Sequence, residues 1–225
     1  MRRLFLYLFL FVSISFAHEL WIEENENGYI LLYGHLKPQL GEDKFVKYSP
    51  ENVLDVRCFD SQGKDKSVKV ERVYPLKIVG KCDILYILFS TGYWTKTPFG
   101  LKNLPKDRVD MPIESWQSFE SVKRLNSFID TPLTDNLEIT PLQNPFSLKV
   151  GEKLTVLVTY GKKPLRDVIV SYDGKPIGTT DDDGKINIRI KHTNQQYIST
   201  SYKVRSDGVK ADSIIYTATL NFEVK

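Results

Sequence analysis

Apolar and polar positions alternate along most of this chain. Segments 28–36, 53–59, 67–73 and 82–89 are rich in Val, Ile, Leu and Tyr and are broken by Gly, Pro and Asp clusters, which predicts β-strands. One stretch departs from this rhythm. Asp110 offers an N-cap with Pro112 soon after, and Ile113, Trp116, Phe119, Val122, Leu125 and Ile129 recur at helical spacing, predicting a helix to about residue 128. Residues 130–145 hold three prolines and little periodicity, as a linker or crossing strand would. Beyond them, 146–150, 153–160, 168–172, 186–191, 197–203 and 217–224 read as strands with turns roughly every 8 to 12 residues, the spacing of an immunoglobulin-like sandwich. Asp183-Gly184 is the clearest hairpin turn among them. The pattern therefore predicts an all-β protein: a β-sandwich-like N-terminal domain over 18–133 with one inserted helix, then an immunoglobulin-like domain over 145–225.

The first 17 residues stand outside this pattern. Arg2 and Arg3, an apolar run over 4–14 and Ser15-Phe16-Ala17 have the form of a secretory signal peptide cleaved before His18. No later stretch approaches ~20 consecutive apolar residues, so a soluble, exported, periplasmic protein is expected, with no stable membrane insertion after cleavage. Cleavage removes Arg2 and Arg3 from the 31 Lys+Arg, leaving 29 against 28 Asp+Glu. That balance argues against nucleic acid as a partner. Cys58 and Cys82 each lie on an apolar, strand-like run, and in an exported chain they are expected to form a disulfide between neighbouring strands.

The three histidines carry the candidate chemistry. Cleavage before His18 would free its backbone amine, and that amine with the ring Nδ1 forms a chelating pair. Asn27-Gly28 signals a hairpin. Closing the turn there pairs Glu26 with Tyr29 and His18 with Lys37, leaving His18 and His35 diagonal neighbours ~7–8 Å apart. A four-residue loop pairing Glu24 with Tyr29 sets His18 directly opposite His35, and only an odd-length loop separates the rings. Leu20, Ile22, Leu31 and Tyr33 share their face, so the pair would sit at the open end of an apolar strip. Nitrogen donors of this kind suit Ni(II) and Cu(II), and less strongly Co(II) and Zn(II). His192 follows Ile186, Ile188 and Ile190 on one strand face and would join as a third ligand only if that strand end folds against the N-terminus. Tyr93, Trp94 and Lys96, in an expected long loop over 92–106, are candidates for a pocket wall beside the metal, with Lys96 neutralising an anionic chelator. Three consecutive aspartates, 181–183, are explained by the turn and lack the spacing of a calcium loop. No G-x-S-x-G, H-E-x-x-H or glycine-rich phosphate loop is present, so the chain is not expected to be an enzyme.

Several stretches carry a resemblance: the expected mature start "AHELWIE", the strand "YILLYGH", the block "GYWTKTPFGLKNLPK", "ESWQSFESVK", "KPLRDVIVSYDGKPIGTTDDDGK" and the closing "YTATLNFEV". Together these resemble the periplasmic nickel/cobalt-uptake proteins of the DUF4198 type, which accompany energy-coupling-factor or similar metal transporters. The resemblance implies an N-terminal β domain followed by an immunoglobulin-like one, Ni(II) or Co(II) as the bound metal, and a membrane Ni/Co transporter as the partner of a monomeric protein. Two other classes stay open on the residues alone. One is a copper-binding protein or copper oxidative enzyme built on an N-terminal histidine brace; the other is an envelope or adhesion module without metal.

Overall fold

The computed structural model describes residues 18–38 and 40–225, so the expected signal segment lies outside the described residues. Among the described residues, seventeen strands make up most of the structure. The first nine are β1 (Glu19–Asn25), β2 (Gly28–Gly34), β3 (Val53–Phe59), β4 (Asp65–Lys66), β5 (Lys69–Glu71), β6 (Lys77–Val79), β7 (Ile84–Thr97), β8 (Gly100–Lys102) and β9 (Glu114–Leu125). Then come β10 (Glu138–Pro141), β11 (Lys153–Tyr160), β12 (Lys163–Pro164), β13 (Ile169–Tyr172), β14 (Lys175–Thr179), β15 (Lys185–Arg189), β16 (Asn194–Arg205) and β17 (Ser213–Val224). Helical residues among those described occur only as three short 3-10 turns. No described helix is long and apolar enough to cross a membrane.

Three sheets stack as layers. A long central sheet runs β14-β13-β16-β17-β9-β7-β3-β4, with β8 added to β7. Its one parallel pairing, β17 with β9, joins the two halves of the chain into one sheet across the segment 134–144. Sheet β1-β2-β6-β5 covers one face, and the sheet of β10, β11, β12 and β15 covers the other. Alternation along single strands sorts side chains between two cores. Leu85, Ile87, Phe89 and Val122 join Leu20, Ile22, Leu31 and Tyr33 on the first face. Ile84, Tyr86 and Leu125 join Val156, Val170, Leu220 and Phe222 on the second.

That layering explains where the expected helix fails. Residues 114–125 form strand β9, not a helix. The strand lies between two covering sheets, so it needs apolar residues at both parities. Trp116 and Val122 take one face, Phe119 and Leu125 the other, and a spacing of three residues mimics a helical stripe. Burial on both sides also forces charged residues inside: Lys123 pairs with Glu138 at 2.6 Å, with side-chain exposures of 2% and 1%. The expected cap at Asp110 is instead a turn in which Met111 has φ 52°.

Other expectations are corrected locally. Residues 92–106 are not one long loop: β7 continues to Thr97 and returns through β8. The turn at 181–184 forms, with Gly184 N–H donating to the Asp181 carbonyl and Lys185 N–H to Asp181 Oδ1. It does not close a hairpin, because β14 pairs with β13 in the central sheet and β15 with β11 in the outer one. Segment 146–150 holds a 3-10 turn over Pro145–Ser147 in place of a strand. The Cys58–Cys82 disulfide is formed, closing a 24-residue separation between β3 and the entry to β7.

Candidate metal centre

The hairpin β1–β2 positions the two N-terminal histidines. Its register runs from Asn25↔Gly28 to Glu19↔Gly34, so His18 and His35 occupy the next opposed positions. The turn is Glu26-Asn27, one step earlier than Asn27-Gly28, which overturns the register pairing Glu26 with Tyr29 and keeps the alternative that pairs Glu24 with Tyr29. Gly28 is needed after the turn rather than inside it. A Cβ there would lie 2.0 Å from the Ile78 carbonyl oxygen, because β6 passes directly against it.

The imidazoles of His18 and His35 meet edge to face with ring centroids 4.8 Å apart. His18 also lies 5.2 Å from the Tyr33 ring. Burial holds His18 below the ordinary imidazole range, His35 beside it adds to that, and the Glu42 carboxylate partly opposes it. A lowered value keeps the ring neutral, with its lone pair available, further down the pH scale. Glu42 is held near the pair by contacts on its C-terminal side: His35 N–H donates to the Lys44 carbonyl, and Gly34 bridges Phe45.

Beneath the pair lies a carboxyl that sequence reasoning missed. Tyr33 O–H points at Glu120 Oε1 at 3.5 Å. Glu120 is 7% exposed, and burial pushes its carboxyl up to about 7 while the Tyr33 hydrogen bond draws it down. The same burial, with the neighbouring Glu120, raises the Tyr33 phenol well above its usual range. Nothing in the sequence pointed to Glu120, because it sat in a segment read as helix.

His192 lies elsewhere. Its Nε2 is 2.8 Å from Asp173 Oδ2 and its Nδ1 is 2.7 Å from the Thr193 carbonyl oxygen. The ring stacks on Tyr172 at 5.8 Å and lines a cavity with Trp21 and Glu23. Trp21 and Glu23 have the opposite parity along β1 from His18, so this cavity opens on the other side of the hairpin. The structure brings His18 and His35 together and leaves His192 apart from them.

Tyr93, Trp94 and Lys96 lie on the extended part of β7. Trp94 opposes Trp116 across the ladder and donates its indole N–H to Thr91 Oγ1 at 2.9 Å. Among the described residues, no hydrogen bond, ion pair or ring contact joins these three to the histidine pair. Nor does any group of three or more His, Cys, Asp or Glu residues gather in a way that could hold a metal ion. Two imidazoles, with the Glu42 carboxylate nearby, are thus the side-chain groups at this end of the hairpin. The backbone amine of a chain beginning at His18 would make three nitrogen donors.

Sequence comparison places the chain in a family. The match to the domain of unknown function DUF4198 covers residues 15–204, and the chain belongs to that family. It is also similar to an uncharacterized protein of Haemophilus influenzae, 21% identical over 179 residues, covering 77% of this chain and 75% of that protein. No solved structure matches.

Proposed function

We propose that this protein, exported and cleaved before His18, is a non-enzymatic carrier that binds Ni(II), or Co(II) as a second cargo, and passes it to a membrane metal transporter. The observation that carries this reading is the opposed His18–His35 pair, 4.8 Å between ring centroids, at the expected start of the mature chain. The His18 amine and ring would chelate the ion while His35 supplies a third nitrogen. Remaining positions stay open to water or to ligands of the transporter, which suits capture followed by release.

The test is calorimetric titration of Ni(II) into three forms of the protein at matched pH: one beginning at His18, one with methionine before His18, and His35→Ala. A preceding methionine turns the amine into an amide, which is a poor donor, so affinity should fall by about a hundredfold or more; His35→Ala should cost about tenfold or more. For the authentic form, affinity should also fall between about pH 8 and 6, as protons compete for an amine of pKa ~8 and for imidazole. Equal affinity in all three forms would sink the proposal.

The same three nitrogens would hold Cu(II) more tightly than Ni(II). The copper-enzyme reading therefore predicts oxidant-dependent turnover by the copper-loaded, authentic form. A copper form that does not turn over with reductant and oxygen or peroxide leaves the carrier as the reading of this site.

A further inference from the structure

The side of β1 that faces away from the histidine pair carries a second site of different chemistry. A cavity of about 130 Å³ is lined by Trp21, Glu23, Leu36, Lys37, Lys44, Asp173, His192 and Tyr197. Four parts of the fold meet there: β1, the segment after β2, the turn between β13 and β14, and the start of β16. We propose that this cavity binds a small organic carboxylate, held by Lys44, Lys37 and the Tyr197 hydroxyl against the Trp21 wall.

The hydrogen-bond inventory of the lining decides the sign of the ligand. Both acids already have donors. Glu23 Oε1 accepts the Trp21 indole N–H at 3.0 Å. Asp173 Oδ2 faces His192 Nε2 at 2.8 Å and Lys37 Nζ at 3.4 Å. The donors are less fully used. Lys44 forms no ion pair among the described residues and lies over the Phe45 ring at 5.1 Å. Among the described residues, the one hydrogen bond of the Lys37 ammonium is the long contact to Asp173. The Tyr197 hydroxyl makes no hydrogen bond to a described residue, and it is not among the sealed, unsatisfied atoms of the core. Among the described residues, one oxygen each of Glu23 and Asp173 also lacks a donor, but the three N–H of Lys44, two of Lys37 and the Tyr197 hydroxyl outnumber them, so the ligand the lining complements is an acceptor carrying negative charge.

The walls decide the rest. Trp21 is 1% exposed and packs on Phe45 at 6.0 Å, and Leu36 adds an aliphatic surface. These walls favour an anion with a carbon skeleton over a bare oxyanion. The cavity is small and open to solvent on one side, a size that suits a short mono- or dicarboxylate. Burial raises the Tyr197 phenol to about 12, the Glu23, Asp173 and Glu19 carboxylates adding to it and Arg124 opposing them, so it stays a donor at physiological pH.

This site needs no metal, so it stands or falls separately from the carrier reading. The experiment is calorimetry on metal-free protein at constant ionic strength, with malonate as the probe and inorganic phosphate as the comparison. Malonate should bind saturably and more tightly than phosphate. Lys44→Met should weaken it by about tenfold or more, and Tyr197→Phe by several-fold. Lys44 is exposed, so its replacement leaves the fold in place. Lys102→Met, on the β7–β8 hairpin, removes an equal charge away from the cavity and should change nothing. No saturable malonate binding, equal binding of phosphate, or an equal loss in Lys102→Met would overturn the proposal.

Discussion

On one side of the β1–β2 hairpin, His18 faces another imidazole, with the Glu42 carboxylate near enough to act on it and the buried Glu120 carboxyl bonded to Tyr33 beside it. On the other side, His192 is fixed between a carboxylate and a backbone carbonyl, with lysine close by. Both are histidines near the end of a strand, yet their chemistry diverges. Burial and the His35 ring beside it favour the neutral form of His18, and the two facing imidazoles suit a shared cation. The His192 nitrogens are both occupied by protein groups, Nε2 by Asp173 and Nδ1 by the Thr193 carbonyl and the Gln196 amide, and a metal would have to displace Asp173 to reach Nε2. The number of histidines in a chain therefore says less about metal binding than the partner each ring already has.

The comparison rests on one frame, and the change with the largest expected effect breaks that frame for both sides at once. Gly28→Val places a Cβ against the Ile78 carbonyl oxygen, 2.0 Å away, at φ +148°. Neither backbone can give way without tearing β2 from β6. We expect a loss above about 3 kcal/mol in urea unfolding. Nickel affinity and the Trp21 cavity should be lost together with the hairpin. Wild-type stability in this variant would mean that β2 and β6 do not approach as described.

The next change separates the sides by pH. Glu120 has its carboxyl raised to about 7 in the fold, above the usual ~4.3 of an unfolded chain. Over that interval the folded state holds a proton that the unfolded state has lost. Stability from this group is thus fully present below about pH 4.3 and declines as pH rises to about 7. Glu120→Gln keeps the neutral shape and removes the titration. It should be more stable than wild type by about 3–4 kcal/mol at pH 8 and nearly equal at pH 4, read from urea midpoints across pH. A constant difference between the two proteins at all pH values would refute the buried, proton-binding state of Glu120.

How much of this was readable beforehand follows from which faces each strand buries. Val53–Phe59 and Lys153–Tyr160 were delimited to the residue, because polar neighbours and turns punctuate them. The Cys58–Cys82 bridge was legible for a related reason: two cysteines on adjacent apolar runs have few other options. Strand β9 was not legible, since a strand covered on both faces loses the period-two signal that marks an exposed one. The same burial hid Glu120 and the Lys123–Glu138 pair, since charged residues in a segment read as helix look like its solvated face. The His18–His35 opposition was foreseeable only as one of two registers. The deciding contact, β6 against Gly28, is made with a strand about 50 residues later, and no local pattern encodes it.

The smallest expected effect is the sharpest probe of the contrast between the two sides. His192→Ala removes one hydrogen-bonding partner of Asp173, whose carboxylate keeps Lys37 at 3.4 Å, and one ring stacked on Tyr172. The His192 side chain is 41% exposed, so water can replace part of what is lost. The cost to folding should therefore be about 1 kcal/mol or less. Nickel affinity of the authentic protein should stay within about twofold of wild type, because the ring lies across the hairpin from His18 and His35. The cavity on its own side should respond instead: with one donor gone, Asp173 draws Lys37 more strongly and leaves it less available to an added anion. Side-by-side titrations of nickel and malonate into His192→Ala read both sides in one protein. A fall in nickel affinity as large as that of His35→Ala would show that the two sides form a single three-histidine site, and the distinction between them would not survive.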